Sequence, residues 1–154
     1  MKKIIAALVI AGLASASFAQ QSLKPEEMIK IRKANMTVQA WNMGKIKANL
    51  DGNFNKEQVI AAANVLAATA NSGTGALFAP GTDKDVGDQK TRVKPELFDP
   101  AHKAKLSEVG MAFGKEANEL AKVAATGDVA AIKAQFGKTG GACKACHDEF
   151  RQKD

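Results

Sequence analysis

Residues 73–98 read GTGALFAPGTDKDVGDQKTRVKPELF, a stretch of Gly, Pro, Asp, Lys and Thr with no helical spacing of apolar side chains. Its composition predicts a long connection, and connections of this length inside a compact domain are functional or disordered. On each side lies a pair of segments with helical periodicity, and no segment shows a convincing strand alternation. Two antiparallel helical hairpins joined by one long crossover between helices two and three describe an all-α, antiparallel four-helix bundle.

The first helix is expected to begin near Pro25, with Glu26 and Glu27 at the positive end of its dipole, and to end near Asp51-Gly52. Its inward stripe reads Ile29, Arg32, Met36, Ala40, Met43, Ile46 and Leu50, with Arg32 breaking an apolar line. Asn55 is placed to cap the second helix, with Gln58 as capping-box partner and Val59, Ala62, Leu66 and Thr69 on one face. The third helix is expected to start at Pro100 behind an Asp99 cap and to bury Leu106, Val109, Phe113, Leu120 and Val123. The fourth follows an Asp128 cap, with Val129, Ile132, Phe136, Gly140, Cys143, Cys146 and Phe150 inward.

That last stripe contains Cys143-Lys144-Ala145-Cys146-His147, a C-x-x-C-H motif of the c-type haem attachment kind. These are the chain's two cysteines and one of its two histidines. Thiols at i and i+3 share a helix face, so both can reach the vinyl groups along one porphyrin edge, and His147 can bind iron from the proximal side. Gly137, Gly140 and Gly141 just upstream cost about 1 kcal/mol each in a helix interior, a cost that close approach of a flat haem would offset. Three other readings compete. A thioredoxin-like pair belongs at the start of a helix after a strand, zinc needs further ligands than His102 supplies, and a disulfide across three residues is strained.

Only seven residues follow His147 and none is Met, so a sixth iron ligand has to come from elsewhere. Met36 on the first helix is the candidate, either as a ligand or as a thioether packed against the haem. Met43 and Met111 read as core. Arg32, one turn before Met36, is a candidate partner for a haem propionate. Arg151, one turn after His147, would lie near the same ring, and His102 is expected at the surface.

Residues 1–19 begin Met1-Lys2-Lys3, continue in an apolar run from Ile4 to Leu13 and end in Ser17-Phe18-Ala19, the layout of a secretory signal peptide cleaved after Ala19. The apolar run is shorter than the roughly 20 residues a membrane span requires, so no membrane span is expected. The remainder, 20–154, is expected to form a single haem-binding domain in the periplasm. Loss of Lys2 and Lys3 lowers the formal charge from +6 to +4. The remaining Lys and Arg form no cluster interleaved with aromatics, so no nucleic-acid partner is expected. Basic groups near one edge could orient a redox partner protein.

The chain resembles cytochrome c prime, the class II c-type cytochromes. The resemblance lies in Lys24-Pro25-Glu26, Ile31-Arg32-Lys33-Ala34-Asn35-Met36, Phe78-Ala79-Pro80-Gly81-Thr82, Pro95-Glu96-Leu97-Phe98, Ala134-Gln135-Phe136-Gly137 and Cys143 to Arg151. It implies one covalently bound haem c per chain, a homodimer, and iron held at rest by the histidine alone. It also implies that Met36 crowds the distal face and selects small diatomic gases, chiefly nitric oxide and carbon monoxide. Arg32 and Lys33 fall where the family contacts haem, and Thr91-Arg92 is similar to a propionate-contacting loop. The alternative within the class is a low-spin electron carrier with Met36 as sixth ligand. No constellation suggests hydrolysis or group transfer, so an enzyme is not expected.

Overall fold

The computed structural model describes residues 23–153, so the expected leader and its cleavage site lie outside the described residues. Pro25 opens α1 (Pro25–Asp51), and the Glu27 carboxylate reaches back to accept the Lys24 N–H at 2.9 Å, satisfying a donor at the positive end of the helix. α2 spans Lys56–Ala70, α3 Lys103–Thr126 and α4 Val129–Phe150. Among the described residues there are four α-helices and no strand, only isolated bridges at Val86–Gln89 and Val93–Arg151. The expected bundle is what forms.

Each helix end has a local cause. Asn55 Oδ1 accepts the Gln58 N–H at 3.0 Å, but Gln58 does not return the bond. Its Oε1 accepts from Asn49 Nδ2 at 3.1 Å, while Asn49 Oδ1 takes the Asn55 N–H at 2.8 Å, so Asn49 bridges the α1–α2 turn. Asp99 Oδ1 takes the Ala101 N–H at 2.9 Å and starts a single 3₁₀ turn, Pro100–His102, from which α3 continues. Gly127, at φ 78, closes α3 in the left-handed conformation that glycine adopts without Cβ strain. Asp128 then caps α4 through the Ala131 N–H at 3.0 Å.

α1 packs on α2, α2 on α3 and α3 on α4, whereas α1 and α4 touch sparsely. The apolar core is concentrated at one end, where Ile46, Val59, Ala62, Ala63, Leu66, Leu120, Ala124 and Ile132 are sealed from water. A smaller cluster of Leu97, Val109 and Phe150, flanked by Phe78, Val93 and Cys146, lies beneath the crossover at the other end. The bundle thus has a closed apolar end and an end built around the last turns of α4.

The inward face of α1 departs from its sequence stripe. Gln39, Asn42 and Asn49 are buried, while Met36 and Ala40 are exposed. Asn42 Nδ2 donates to Val38 O at 2.8 Å and Gln39 Nε2 to Asn35 Oδ1 at 3.3 Å, so internal hydrogen bonds permit a polar seam that an apolar count reads as surface. Likewise on α4, Gln135 and Thr139 are buried and donate to Glu116 O of α3 at 3.2 and 3.1 Å, while Val129 is exposed. Met111 is exposed rather than core, and His102 is half-buried, edge-on to the Phe150 ring at 6.2 Å.

Candidate haem site

Cys143 and Cys146 lie in the penultimate turns of α4 as free, half-buried thiols. Burial pushes both thiols above the ordinary cysteine range, and the neighbouring Cys143 adds to the rise at Cys146. A redox-active pair needs the opposite, a lowered thiol pKa, so the thioredoxin-like reading fails on electrostatics as well as on the all-helical fold. One turn upstream a Cβ on Gly140 would come within 3.9 Å of Met43 Cε, whereas Gly137 and Gly141 face open space. His147 is exposed, and its carbonyl accepts the Arg151 N–H at 3.0 Å. With Asp148, Arg151, Gln152 and Lys153 it lines a groove of about 250 Å³. The Lys144 ammonium donates to the Asp148 carboxylate and, with the field of Lys153, holds it below the usual carboxylate range.

Arg32 is almost wholly buried, at 3% exposure. Nη1 donates to Leu77 O at 3.2 Å and Thr82 Oγ1 at 2.9 Å, and Nη2 to Thr82 O and Thr91 Oγ1, both at 2.7 Å. The guanidinium also stands 4.8 Å from the Phe78 ring centroid, a cation–π contact. All four terminal N–H groups therefore end on protein oxygens, and only Nε–H is left for another acceptor. Desolvation by burial lowers the Arg32 pKa from its ordinary value.

The remaining candidates fall into two groups. Arg92 is brought to the end of α4, because the Val93–Arg151 bridge and the Gln152 N–H to Arg92 O bond at 2.8 Å join the crossover to the chain end, while Thr91 is held by Arg32 and Asp85. Lys33 is exposed, and its charge helps to lower the Asp85 pKa, behind the Thr91 N–H and Lys90 bonds that dominate. Met36 is exposed on α1, one turn beyond Arg32. Sequence reading gave no site role to Thr82, Phe78 or Lys94, the first two entering it only within the Phe78 to Thr82 motif of the family resemblance. A buried arginine on an apolar stripe does announce that acceptors must exist, but not which ones.

A profile of the cytochrome c prime family matches residues 27–151. The chain belongs to the cytochrome c prime family. It is 52% identical to the cytochrome c prime of Allochromatium vinosum over 99% of this chain and 100% of that one. It is similar to the crystal structure of a cytochrome c prime with an unusual ligand-controlled dimer dissociation, at TM-score 0.82 and 56% identity over 85% of this chain and 98% of that one. It is also similar to a nitric oxide complex of a variant cytochrome c prime from Alcaligenes xylosoxidans, at TM-score 0.72 and 31% identity over 85% and 98%. Membership places the chain among cytochromes rather than enzymes and brings covalently bound haem c. The residues present fit that group: two free thiols one helical turn apart, an imidazole directly after them, and glycines on the preceding turn.

Proposed function

We propose that this chain is an exported, periplasmic c-type haem protein with one haem per chain, whose iron is five-coordinate and high-spin at rest. It binds small gases such as nitric oxide and carbon monoxide and can exchange electrons with a redox partner protein. Haem c supplies an iron that changes oxidation state and takes diatomic ligands. Cys143 and Cys146 would hold it through thioethers, His147 would bind its iron, and Met36 would crowd its distal side. Lys33, Thr91, Arg92 and Arg151 lie at the periphery, with Arg32 behind them.

The observation that carries this reading is the placement of Cys143, Cys146 and His147 together in the last turns of α4, two free, half-buried thiols one helical turn apart with an imidazole directly after them. The nitric oxide complex of the Alcaligenes xylosoxidans relative supports the gas-binding half. The thioether of Met36 keeps one alternative open, a low-spin electron carrier in which that sulfur is the sixth ligand. Met36→Leu decides between them. If Met36 stands aside, the ferric spectrum keeps its form and the ferrous protein forms a nitrosyl readily in both variants; a low-spin spectrum that turns high-spin on substitution makes Met36 a ligand and ends the five-coordinate reading.

A homodimer is part of the same proposal. Outside the bundle α1 presents Ile31, Val38 and Trp41, all exposed, and a groove of about 850 Å³ runs beside them against the turn at Thr74–Leu77. An unpartnered apolar face of this kind suits a second copy of the chain. The relative with ligand-controlled dimer dissociation supports it. Export rests on the leader at residues 1–19. Among the described residues no helix is long and apolar enough to cross a membrane.

A further inference from the structure

We infer that Thr91, fixed by Arg32, is a positioning residue for the iron-binding end of α4. Residues 91–94 form a strap that ties α1 to the last turn of α4, and the inference rests on the reading of His147 as iron ligand.

The strap begins at Arg32, whose Nη2 donates to Thr91 Oγ1 at 2.7 Å. The same oxygen accepts the Val93 N–H at 3.3 Å, which turns the chain toward its C-terminal end. Asp85 holds the other side of Thr91, its Oδ1 accepting the Thr91 N–H at 2.9 Å. From there the crossover runs antiparallel to residues 150–152. Gln152 N–H donates to Arg92 O at 2.8 Å and Lys94 N–H to Phe150 O at 2.9 Å.

The final carbonyls of a helix have no intrahelical partner and need one from outside. Here Lys94 provides it, its ammonium donating to Glu149 O at 2.7 Å and Asp148 O at 3.2 Å, where a cation also suits the negative end of the helix dipole. His147 O is taken by the Arg151 N–H at 3.0 Å. A continuous set of bonds thus leads from a buried guanidinium on α1 to the backbone of His147 and Arg151. The helix that carries Met36 thereby sets the placement of the proximal residues, although α1 and α4 themselves touch sparsely.

Thr91→Val tests this in the full-length holoprotein, because it removes the hydroxyl while keeping the shape, and Thr91→Ser keeps the hydroxyl. Arg32 itself is a poor test, since its loss would also undo the bonds to Leu77 and Thr82. Two readouts are needed, amide hydrogen exchange and the iron–histidine stretching band of the ferrous protein. Thr91→Val is expected to speed exchange at Lys94 and Gln152 by roughly tenfold or more, to leave residues 59–66 protected, and to shift or broaden the iron–histidine band. Thr91→Ser is expected to restore both. Unchanged exchange at Lys94 and Gln152, or faster exchange with an unmoved band, overturns the positioning role. Absence of any iron–histidine band in the unaltered protein instead removes the ligand reading on which the inference rests.

Discussion

Thr82 is fully buried, and its hydroxyl does two things at once: it accepts from Arg32 Nη1 at 2.9 Å and donates to Ala79 O at 2.8 Å. Thr82→Val fills the same space and removes both hydroxyl bonds, leaving an Arg32 Nη1 N–H unpaired while Ala79 O keeps the backbone N–H of residue 82 at 3.0 Å. A hydrogen bond to a charged group contributes about 1.5–3 kcal/mol and a neutral one about 0.5–1.5 kcal/mol, so the expected loss is about 2–4.5 kcal/mol. Desolvation already disfavours the Arg32 charge at this site, which makes an unpaired N–H there costly. Thr82→Ser keeps the hydroxyl and loses one methyl group, worth about 0.8 kcal/mol. Urea unfolding of the holoprotein measures both variants, and at a slope of about 2 kcal/mol per molar the valine variant should unfold about 1–2 M earlier than wild type. A double-mutant cycle with Arg32→Met should return a coupling within about 0.5–3 kcal/mol. A valine variant as stable as the serine variant refutes the assignment of Arg32 as anchor of the crossover.

Other expectations follow from separate parts of the molecule. Leu120→Ala, in the closed apolar end, should lose about 2–5 kcal/mol in denaturant unfolding and leave the haem absorption spectrum unchanged; a changed spectrum would mean the two ends are coupled. Asp85 has a folded-state pKa below its ordinary 3.8, chiefly through the Thr91 N–H and Lys90. Its contribution to stability is therefore present above pH 3.8 and lost as pH falls through the lowered value, so the stability gap between wild type and Asp85→Asn should close in acid titrations followed by urea unfolding. A gap that persists in acid would place its origin outside the carboxylate. Val38→Glu, on the outward face of α1, should yield monomers in sedimentation velocity while retaining haem; an unaltered dimer would move the interface elsewhere.

The helices and their order were legible because capping and turn residues act locally: Pro25, Asn55, Asp99, Gly127 and Asp128 each stand at or beside the end they mark. The helical register was partly legible. Ile29, Arg32 and Ile46 are buried as the α1 stripe requires, but Gln39, Asn42 and Asn49 share the interior. Polar side chains enter a core when they find partners, and Asn49 finds Gln58 and the Asn55 backbone only after the α1–α2 turn has closed. An apolar count has no access to that.

The site divides in the same way. The C-x-x-C-H chemistry is written in adjacent residues and needs no tertiary information. Arg32 was visible as an inward charge, but its acceptors lie 45 to 59 positions away, on a crossover whose path no periodicity encodes. That path contains 3₁₀ turns at Thr74–Leu77 and Pro95–Phe98, and a bridge from Val93 to Arg151. The bridge is what brings the Thr91-Arg92 segment to the chain end that carries Arg151, a residue with no local relation to it.

The ferric optical spectrum of the purified, haem-loaded protein tests the central claim most directly. Iron held by His147 alone gives a high-spin spectrum, and ready nitrosyl formation follows on reduction. A low-spin spectrum with a methionine-to-iron charge-transfer band would contradict the account.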